Sequence, residues 1–160
     1  MTIPGIDEEL GLKEISTHQV VEPTQWNLWL SLMTGPNGTI DVEFYQATID
    51  TAIPFIVGPN KLIEPLMKGV TVERDCSNLD SLPDFKFTID QTDYVLAPND
   101  YVIKTPVENG LLNCSSGIIG ADWSDSFEYV IFGDIFIRKF PTKFDFDNKQ
   151  VTFYEQSSTE

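Results

Sequence analysis

Short apolar segments separated by turn-forming residues run along almost the whole chain, and this pattern restricts the fold more than any other feature. The segments are rich in β-branched and aromatic residues, with Gly, Pro, Asn and Asp between them. Residues 39–45 alternate apolar and acidic side chains, which is the period of a half-buried strand. The pattern predicts a mainly β fold of packed antiparallel sheets.

Two turns and a small number of helices complete this prediction. Asn37-Gly38 and Asp90-Gln91 are predicted to connect the strands of two β-hairpins, because Asn, Asp and Gly favour tight turns. The predicted strands are residues 26–33, 39–45, 46–51, 86–89, 92–96, 101–104, 129–132 and 150–154. Short helices are predicted at residues 60–68, where Pro65 interrupts the pattern, and at residues 134–139.

The length and charge of the chain limit its class and its partners. A chain of 160 residues fits one domain, predicted at residues 1–155, followed by a disordered tail at 156–160. The net charge of −15 argues against nucleic acid and anionic membranes as partners. No apolar run is long enough for a membrane span, and the polar start has no apolar core of a signal peptide. The acidic composition is compatible with an acidic compartment or with secretion.

Several classes of catalytic and metal site are excluded by residue counts. His18 is the only histidine, so neither a Ser-His-Asp triad nor a His-rich zinc site is expected within one chain. No spacing of acidic residues matches a calcium-binding EF-hand loop. Cys76 and Cys114 are too far apart for a CxxC motif, and a single disulfide bridge is their simplest use. No metal and no cofactor is expected.

The segment at residues 47–59, ATIDTAIPFIVGP, resembles the second catalytic segment of pepsin-like aspartic peptidases. In that family an apolar pair precedes Asp-Thr-Gly-Thr-Ser, and an apolar run then ends in Gly-Pro. The resemblance covers nearly the whole chain and implies the fold of the C-terminal lobe of such an enzyme, whereas the N-terminal lobe has no counterpart here. Further segments that follow in the family's order are CSNLDSLPD at 76–84, YVLAPNDY at 94–101, GIIGAD at 117–122 and IFGDIFIRKF at 131–140.

The resemblance assigns a catalytic position to Asp50 and a supporting one to Thr51. In this chemistry two carboxylates share one proton, one acting as general base on a water and the other as proton donor. Asp50 supplies one of the two. By resemblance, the Thr51 hydroxyl bonds across to an opposing lobe and holds the two active loops together.

The residues after Thr51 depart from the family pattern. Ala52 replaces a glycine, which adds a methyl group where backbone approaches substrate and where a conformation available only to glycine is expected. Ile53 and Pro54 replace Thr-Ser, which deletes two hydroxyls and one backbone N–H. By resemblance, Ala52, Ile53, Pro54 and Ile131 contact substrate. All three substitutions are expected to weaken catalysis.

Other positions have structural roles in the resemblance. Gly133 allows close approach of the backbone beside the active loop. Asp134 is interpreted as a cap of the helix that follows, in preference to a catalytic role. Cys76 and Cys114 fall at positions that form a disulfide in the family, and an apolar face around Ile53, Phe55 and residues 144–154 is expected to be uncovered.

Three interpretations of function follow from the resemblance. The preferred one is a pseudopeptidase lobe that is catalytically inert on its own and binds peptide or protein. The second is an aspartic endopeptidase that is active only as a homodimer or with a separate N-terminal lobe. The third is an excised lobe of a larger protein, without activity of its own. Self-association through the uncovered apolar face is expected in each case.

The expected location is secreted or endolysosomal. Two Asn-x-Ser/Thr sequences, at residues 37–39 and 113–115, are acceptors for N-linked glycans if the protein is exported.

Overall fold

The computed structural model describes residues 11–123 and 128–156. This part of the chain contains twelve β-strands and three short α-helices. This confirms the predicted mainly β class. The strands are β1 (Leu12–Gln19), β2 (Asn27–Gly35), β3 (Gly38–Ile49), β4 (Ile56–Pro59), β5 (Phe85–Ile89), β6 (Thr92–Leu96), β7 (Val102–Pro106), β8 (Leu112–Ser116), β9 (Ile118–Ala121), β10 (Tyr129–Phe132), β11 (Thr142–Asp145) and β12 (Gln150–Gln156). The helices are α1 (Asn60–Leu66), α2 (Pro98–Tyr101) and α3 (Asp134–Lys139), with short 3₁₀ turns at Leu79–Ser81 and Glu108–Gly110.

A seven-stranded sheet in the order β6-β5-β2-β3-β10-β4-β9 forms the largest layer. Most neighbours in it are antiparallel, but β10 runs parallel to β3, and β9 runs parallel to β4. The parallel pair β3/β10 places the carboxyl ends of two strands side by side, with Phe132 opposite Ile49. This junction carries the candidate site.

Two smaller sheets complete the architecture. β12 lies between β1 and β11 in a three-stranded antiparallel sheet, and β7 pairs with β8. Within the described residues, β1 and β11 each pair on one side only, so both edges of the three-stranded sheet are open. Open edges present unpaired backbone groups to a partner strand.

An aromatic cluster joins the two larger sheets. Phe153 of β12 contacts Tyr94 of β6 and Phe136 of α3, with ring centroids 5.0 and 5.4 Å apart. Phe132 of β10 packs edge-on against Phe136 at 4.9 Å. Each ring is completely buried, and such pairs contribute about 0.5–1.5 kcal/mol beyond the burial of their area. The core therefore fixes α3 and β10 relative to the rest of the chain.

Several predicted elements agree with the structure residue for residue. The predicted strands at residues 92–96 and 129–132 are β6 and β10, and the predicted helix at 134–139 is α3. The strands predicted separately at residues 39–45 and 46–51 form one continuous strand, β3. The helix predicted at residues 60–68 ends earlier, at Leu66, and includes Pro65.

The two predicted hairpins are present. Asp90 and Gln91 both have positive φ, at 42° and 67°, as a type I′ turn requires. In the other hairpin Gly35 pairs with Gly38, so Pro36 and Asn37 form the turn, one residue earlier than predicted.

The predicted disulfide between Cys76 and Cys114 is confirmed. The Cα atoms of the two residues lie 5.2 Å apart, and the bridge ties the segment before the Leu79–Ser81 turn to β8. In the chain-entropy model, closing a loop of this size stabilises the fold by about 3–4 kcal/mol.

Some sequence-based expectations fall outside the described residues. These include the predicted tail from residue 157 onward, whereas Gln156, its first predicted residue, ends β12. None of the helices in the described part of the chain is long and apolar enough to cross a membrane.

Candidate functional site

Asp50 lies directly after β3, at the junction between β3 and β10. Its backbone N–H donates to the carbonyl of Phe132 at 3.1 Å, which continues the parallel pairing by one step. Its side chain is half-buried, whereas the next two residues, Thr51 and Ala52, are exposed. The predicted catalytic residue therefore lies on a loop held by two central strands.

The carboxylate of Asp50 is oriented by its own loop. Its Oδ1 accepts a hydrogen bond from the backbone N–H of Ala52 at 2.8 Å. Ala52 is not among the non-glycine residues with positive φ. The alanine is thus accommodated without a left-handed backbone, and the expectation that this position needs a conformation available only to glycine is wrong. What the substitution adds is an exposed methyl group beside the carboxylate.

The loop after Ala52 is fixed by hydrogen bonds to the start of α3. The N–H of Asp134 donates to the carbonyl of Ile53 at 2.8 Å, and the N–H of Ile135 donates to that of Pro54 at 3.3 Å. The first amides of a helix have no partner inside the helix, so the loop carbonyls satisfy them. The loop and the helix start therefore form one hydrogen-bonded unit.

Gly133 allows this unit to form. Its N–H donates to the carbonyl of Phe55 at 3.0 Å. A β-carbon at this position would collide with the backbone carbonyls of Ile53 and Phe55, neither of which is the end of a flexible side chain. The close approach of backbone expected at Gly133 is present.

Asp134 does not cap α3 as expected. Gly133 occupies the N-cap position, and no side chain caps the helix. Asp134 is the first helical residue, and its Oδ2 lies 3.0 Å from Nε of Arg138, one turn further along. A carboxylate at this position still interacts favourably with the positive end of the helix dipole.

The predicted substrate-contacting residues lie together around Asp50. Ala52 and Pro54 are exposed, while Ile53 is half-buried. Ile131, also half-buried, lies in β10 between Thr48 of β3 and Val57 of β4. The structure thus gathers these residues on one loop and the strand beside it.

The Asp50 loop is not part of either of two cavities found among the described residues. Two cavities are present elsewhere, one of about 460 Å³ between α2, α3 and β12, and one of about 500 Å³ beside His18 and Trp29. Asp50 lines neither of them.

An aromatic cluster with one exposed member, Phe146, lies beside β11 of the three-stranded sheet. Phe146, which is 67% exposed, packs edge-on against Trp26 at 4.8 Å, and Trp26 also contacts Phe144 at 5.0 Å. Ile53 and Phe55 are half-buried. Of the apolar face expected around residues 144–154, Phe146 is exposed, whereas Val151, Phe153 and Tyr154 are buried in the core.

A buried polar chain was missed by sequence reasoning. His18 is 3% exposed; its Nε2 lies 2.6 Å from the Tyr94 hydroxyl and its Nδ1 lies 3.2 Å from Oδ2 of Asp90. Burial raises the pKa of Tyr94 well above its usual range. The only sequence signal was a histidine in a polar segment, and nothing in its spacing pointed to Asp90 or Tyr94.

The described residues contain no candidate metal site. Across 11–123 and 128–156, no group of three or more His, Cys, Asp or Glu side chains is positioned to hold a metal ion.

Comparison with known proteins places this site in a family. A family model described as eukaryotic aspartyl protease matches residues 1–156. Cathepsin E of Mus musculus is 31% identical over 160 residues, a match that covers 94% of this chain and 40% of that protein. Pepsin A of Bos taurus is 36% identical over 115 residues, which cover 66% of this chain and 30% of that protein. Cathepsin D of Dictyostelium discoideum is 35% identical over 116 residues, which cover 68% of this chain and 30% of that protein. The chain thus spans less than half the length of these curated relatives.

These matches agree with the arrangement around Asp50 and with the mainly β lobe that supports it. The chain belongs to the eukaryotic, pepsin-like aspartyl protease family.

Proposed function

We propose that this chain on its own is a catalytically inert pseudopeptidase lobe and that it binds extended peptide or protein segments at the Asp50 loop. One observation carries the first half of the proposal: the loop presents a single carboxylate. The acidic residue that is hydrogen-bonded to the same loop through its backbone, Asp134, has its side chain paired with Arg138. Because the reaction needs a second carboxylate to share the proton, Asp50 alone cannot be both base and acid in one step.

The character of the loop supports binding through apolar contacts. The carbonyls of Ile53 and Pro54 are occupied by amides of α3, and Pro54 has no N–H to donate. These two carbonyls already have partners, while Ala52, Ile53 and Ile131 offer apolar surface. A partner with a short apolar stretch fits this surface better than a charged one.

We extend the proposal to location: the protein is secreted or endolysosomal. The Cys76–Cys114 bridge supports this, because disulfides persist in oxidising compartments and are rare in the cytosol.

A second candidate function is an endopeptidase that forms when two lobes pair, either two copies of this chain or this chain and a separate N-terminal lobe. The orientation of Asp50 by the Ala52 amide favours it, because the carboxylate is already held in place for a partner. The exposed Thr51 is available to bond across such an interface. The open edges of β1 and β11 and the Trp26–Phe146 cluster offer surfaces for pairing.

Activity assays with matched mass measurements separate the two functions. Purified full chain is incubated with an unfolded protein substrate between about pH 3 and 5, the range in which carboxylate dyads titrate. The proposal expects no cleavage from the wild type or from Asp50→Asn, at concentrations where sedimentation gives monomer and dimer. Cleavage that a pepstatin-like inhibitor blocks and that Asp50→Asn abolishes would establish the paired enzyme instead.

Binding is tested with a fluorescein-labelled extended peptide that carries Phe and Leu at its centre, followed by anisotropy. Ile53→Asp is expected to weaken binding at least about tenfold, since it places a charge on the apolar loop. Val95→Asp is the matched control: Val95 is 43% exposed on β6, an edge strand that lies three positions from β3 in the seven-stranded sheet. Equal losses in both variants, or no binding by the wild type, would contradict the binding function.

A further inference from the structure

We propose that Asn37 carries an N-linked glycan and that Asn113 does not. Asn37-Gly38-Thr39 and Asn113-Cys114-Ser115 both match the acceptor sequence, so the sequence pattern alone treats them alike. Their surroundings in the fold differ in hydrogen bonding, in the disulfide beside Asn113 and in the order in which their partners are synthesised.

Asn37 lies at the tip of an exposed hairpin. Pro36 and Asn37 span the turn between β2 and β3, and both are exposed. The Asn37 Nδ2 donates to the carbonyl of Lys68 at 2.6 Å. The amide nitrogen carries two hydrogens, so one remains available for replacement by a sugar while the other holds the side chain in place.

The space around this turn is open. A β-carbon added to Gly38 would meet no heavy atom within 4 Å, and the same holds for Gly69, which follows the Lys68 that Asn37 contacts. The turn is therefore open at Gly38, next to Asn37, and at Gly69, next to the residue that Asn37 contacts.

The hairpin that carries Asn37 completes its pairing late. β2 pairs with β5 and β3 pairs with β10, both of which come much later in the chain. A two-stranded hairpin alone is marginally stable in water. The acceptor segment therefore stays accessible to a transferase while the later strands are being synthesised.

Asn113 is exposed like Asn37, but it lies in a segment that is fixed by its neighbour. Its neighbour Cys114 is buried, is bridged to Cys76, and donates its N–H to the Arg74 carbonyl at 2.8 Å. Cys76 precedes Cys114 by 38 residues, so it is already present when Cys114 is synthesised. Once the bridge has closed, Asn113 is held in β8 opposite Thr105. The acceptor segment then loses the conformational freedom that transfer of the glycan requires.

The reaction itself requires an oligosaccharide carried on a lipid diphosphate as the donor. The amide nitrogen of Asn37 forms a bond to the anomeric carbon of the sugar, and the bond from that carbon to the diphosphate oxygen breaks. The lipid diphosphate leaves with the electron pair, and the amide nitrogen loses one proton.

Site-resolved mass spectrometry tests the proposal. The full chain is expressed behind a secretory leader in a eukaryotic cell line, and glycan-bearing Asn residues are converted enzymatically to Asp in heavy-oxygen water. Molecules in the medium and in the cells are both mapped, and entry into the secretory pathway is verified by leader removal. Asn37 is expected to be converted in most molecules and Asn113 to remain Asn.

Variants of Thr39 and Ser115, the third residues of the two acceptor sequences, test the assignment of each site. Thr39→Ala is expected to lose one glycan and Thr39→Ser to keep it, whereas Ser115→Ala is expected to change nothing. Cys76→Ala, which prevents the bridge, is expected to raise the occupancy of Asn113. An unmodified Asn37 in leader-processed wild type, an occupied Asn113 in wild type, or an unchanged Asn113 in Cys76→Ala would each overturn the proposal as stated.

Discussion

Gly133 lies directly against the carbonyl oxygen of Ile53, so close that no β-carbon fits between them. The same added atom would lie 2.6 Å from the Phe55 oxygen. This contact connects the β10–α3 junction to the loop that carries Asp50. The glycine thus serves the position of the candidate site as well as the stability of the lobe.

Gly133→Ala is expected to destabilise the fold by about 2–3 kcal/mol, since both obstructing atoms are backbone and can move only with the loop. Gly120→Ala is the control, because its nearest obstruction is the side chain of Asn60, which can rotate away. Its expected cost is at most about 1 kcal/mol. Urea unfolding measures both values, and similar losses in the two variants would show that the Ile53 contact is not what Gly133 is needed for.

The sequence pattern was sufficient to predict a strand where the hydrophobic period of the segment and the turn residues beside it agree. β6 follows the Asp90-Gln91 turn, and β10 is a four-residue apolar run before Gly133, so local information defines them. β1 was not predicted because only Leu12 and Ile15 of its eight residues are apolar, and it is a strand only through pairing with β12.

The candidate site divides in the same way. The motif around Asp50 is contiguous, so resemblance could locate it, and the nearness of Gly133 was anticipated. The hydrogen bonds of the Ile53 and Pro54 carbonyls to α3 join segments far apart in the chain, and no local pattern encodes them. Asp134 was assigned to capping for a different reason: the sequence does not decide whether the helix begins before or at this residue, and in the structure Asp134 is the first helical residue and pairs with Arg138.

A double-mutant cycle on His18 and Tyr94 should reveal strong coupling. His18→Leu leaves the buried Tyr94 hydroxyl without the partner that lies 2.6 Å away, which is expected to cost about 1–3 kcal/mol. Tyr94→Phe leaves the imidazole nitrogen unpaired in turn. The double variant removes both polar groups, so its loss should be smaller than the sum of the single losses by about 1 kcal/mol or more. Strictly additive free energies of unfolding would show that the two side chains do not depend on each other.

Tyr101 is expected to make the fold sensitive to alkali. Its hydroxyl donates to the Pro83 carbonyl at 2.7 Å, and burial, with a smaller contribution from the charge of Asp84, raises its pKa to about 12. Because the folded pKa exceeds the ordinary tyrosine value of 10.0, the stability that it contributes is complete below pH 10 and is lost as the pH rises through about 12.

Tyr101→Phe tests this directly. The variant is expected to lose about 1 kcal/mol near neutral pH, where the Pro83 carbonyl loses its donor, but to show a shallower decline between about pH 10 and 12. Free energies of unfolding across that range, with phenolate absorbance recorded in parallel, measure both effects. An equally steep decline in the variant would mean that Tyr101 is not the titrating group.

Asp93 is expected to contribute to the acid limit of stability. Its Oδ2 lies 2.8 Å from Nζ of Lys86 and its Oδ1 accepts from the Thr88 hydroxyl at 2.6 Å. The hydrogen bond from Lys86 and, to a smaller extent, that from Thr88 hold the pKa of Asp93 below the ordinary aspartate value of 3.8. A depressed folded pKa contributes stability that is present above pH 3.8 and is lost as the pH falls through the lower folded value.

Two opposing effects therefore shape the acid profile. Between neutral pH and about 5, partial protonation reduces the self-repulsion of a chain with net charge −15, so stability should hold or rise. Below pH 3.8 the contribution of Asp93 should disappear. Asp93→Asn is expected to be less stable than wild type by less than about 1 kcal/mol at neutral pH, because the pair with Lys86 is largely exposed, and this difference should shrink as the pH falls below 3.8. Asp80→Asn, which removes the same charge from the Leu79–Ser81 turn, is the control, and a difference between Asp93→Asn and wild type that stays constant from neutral pH to about pH 2 would contradict the assignment.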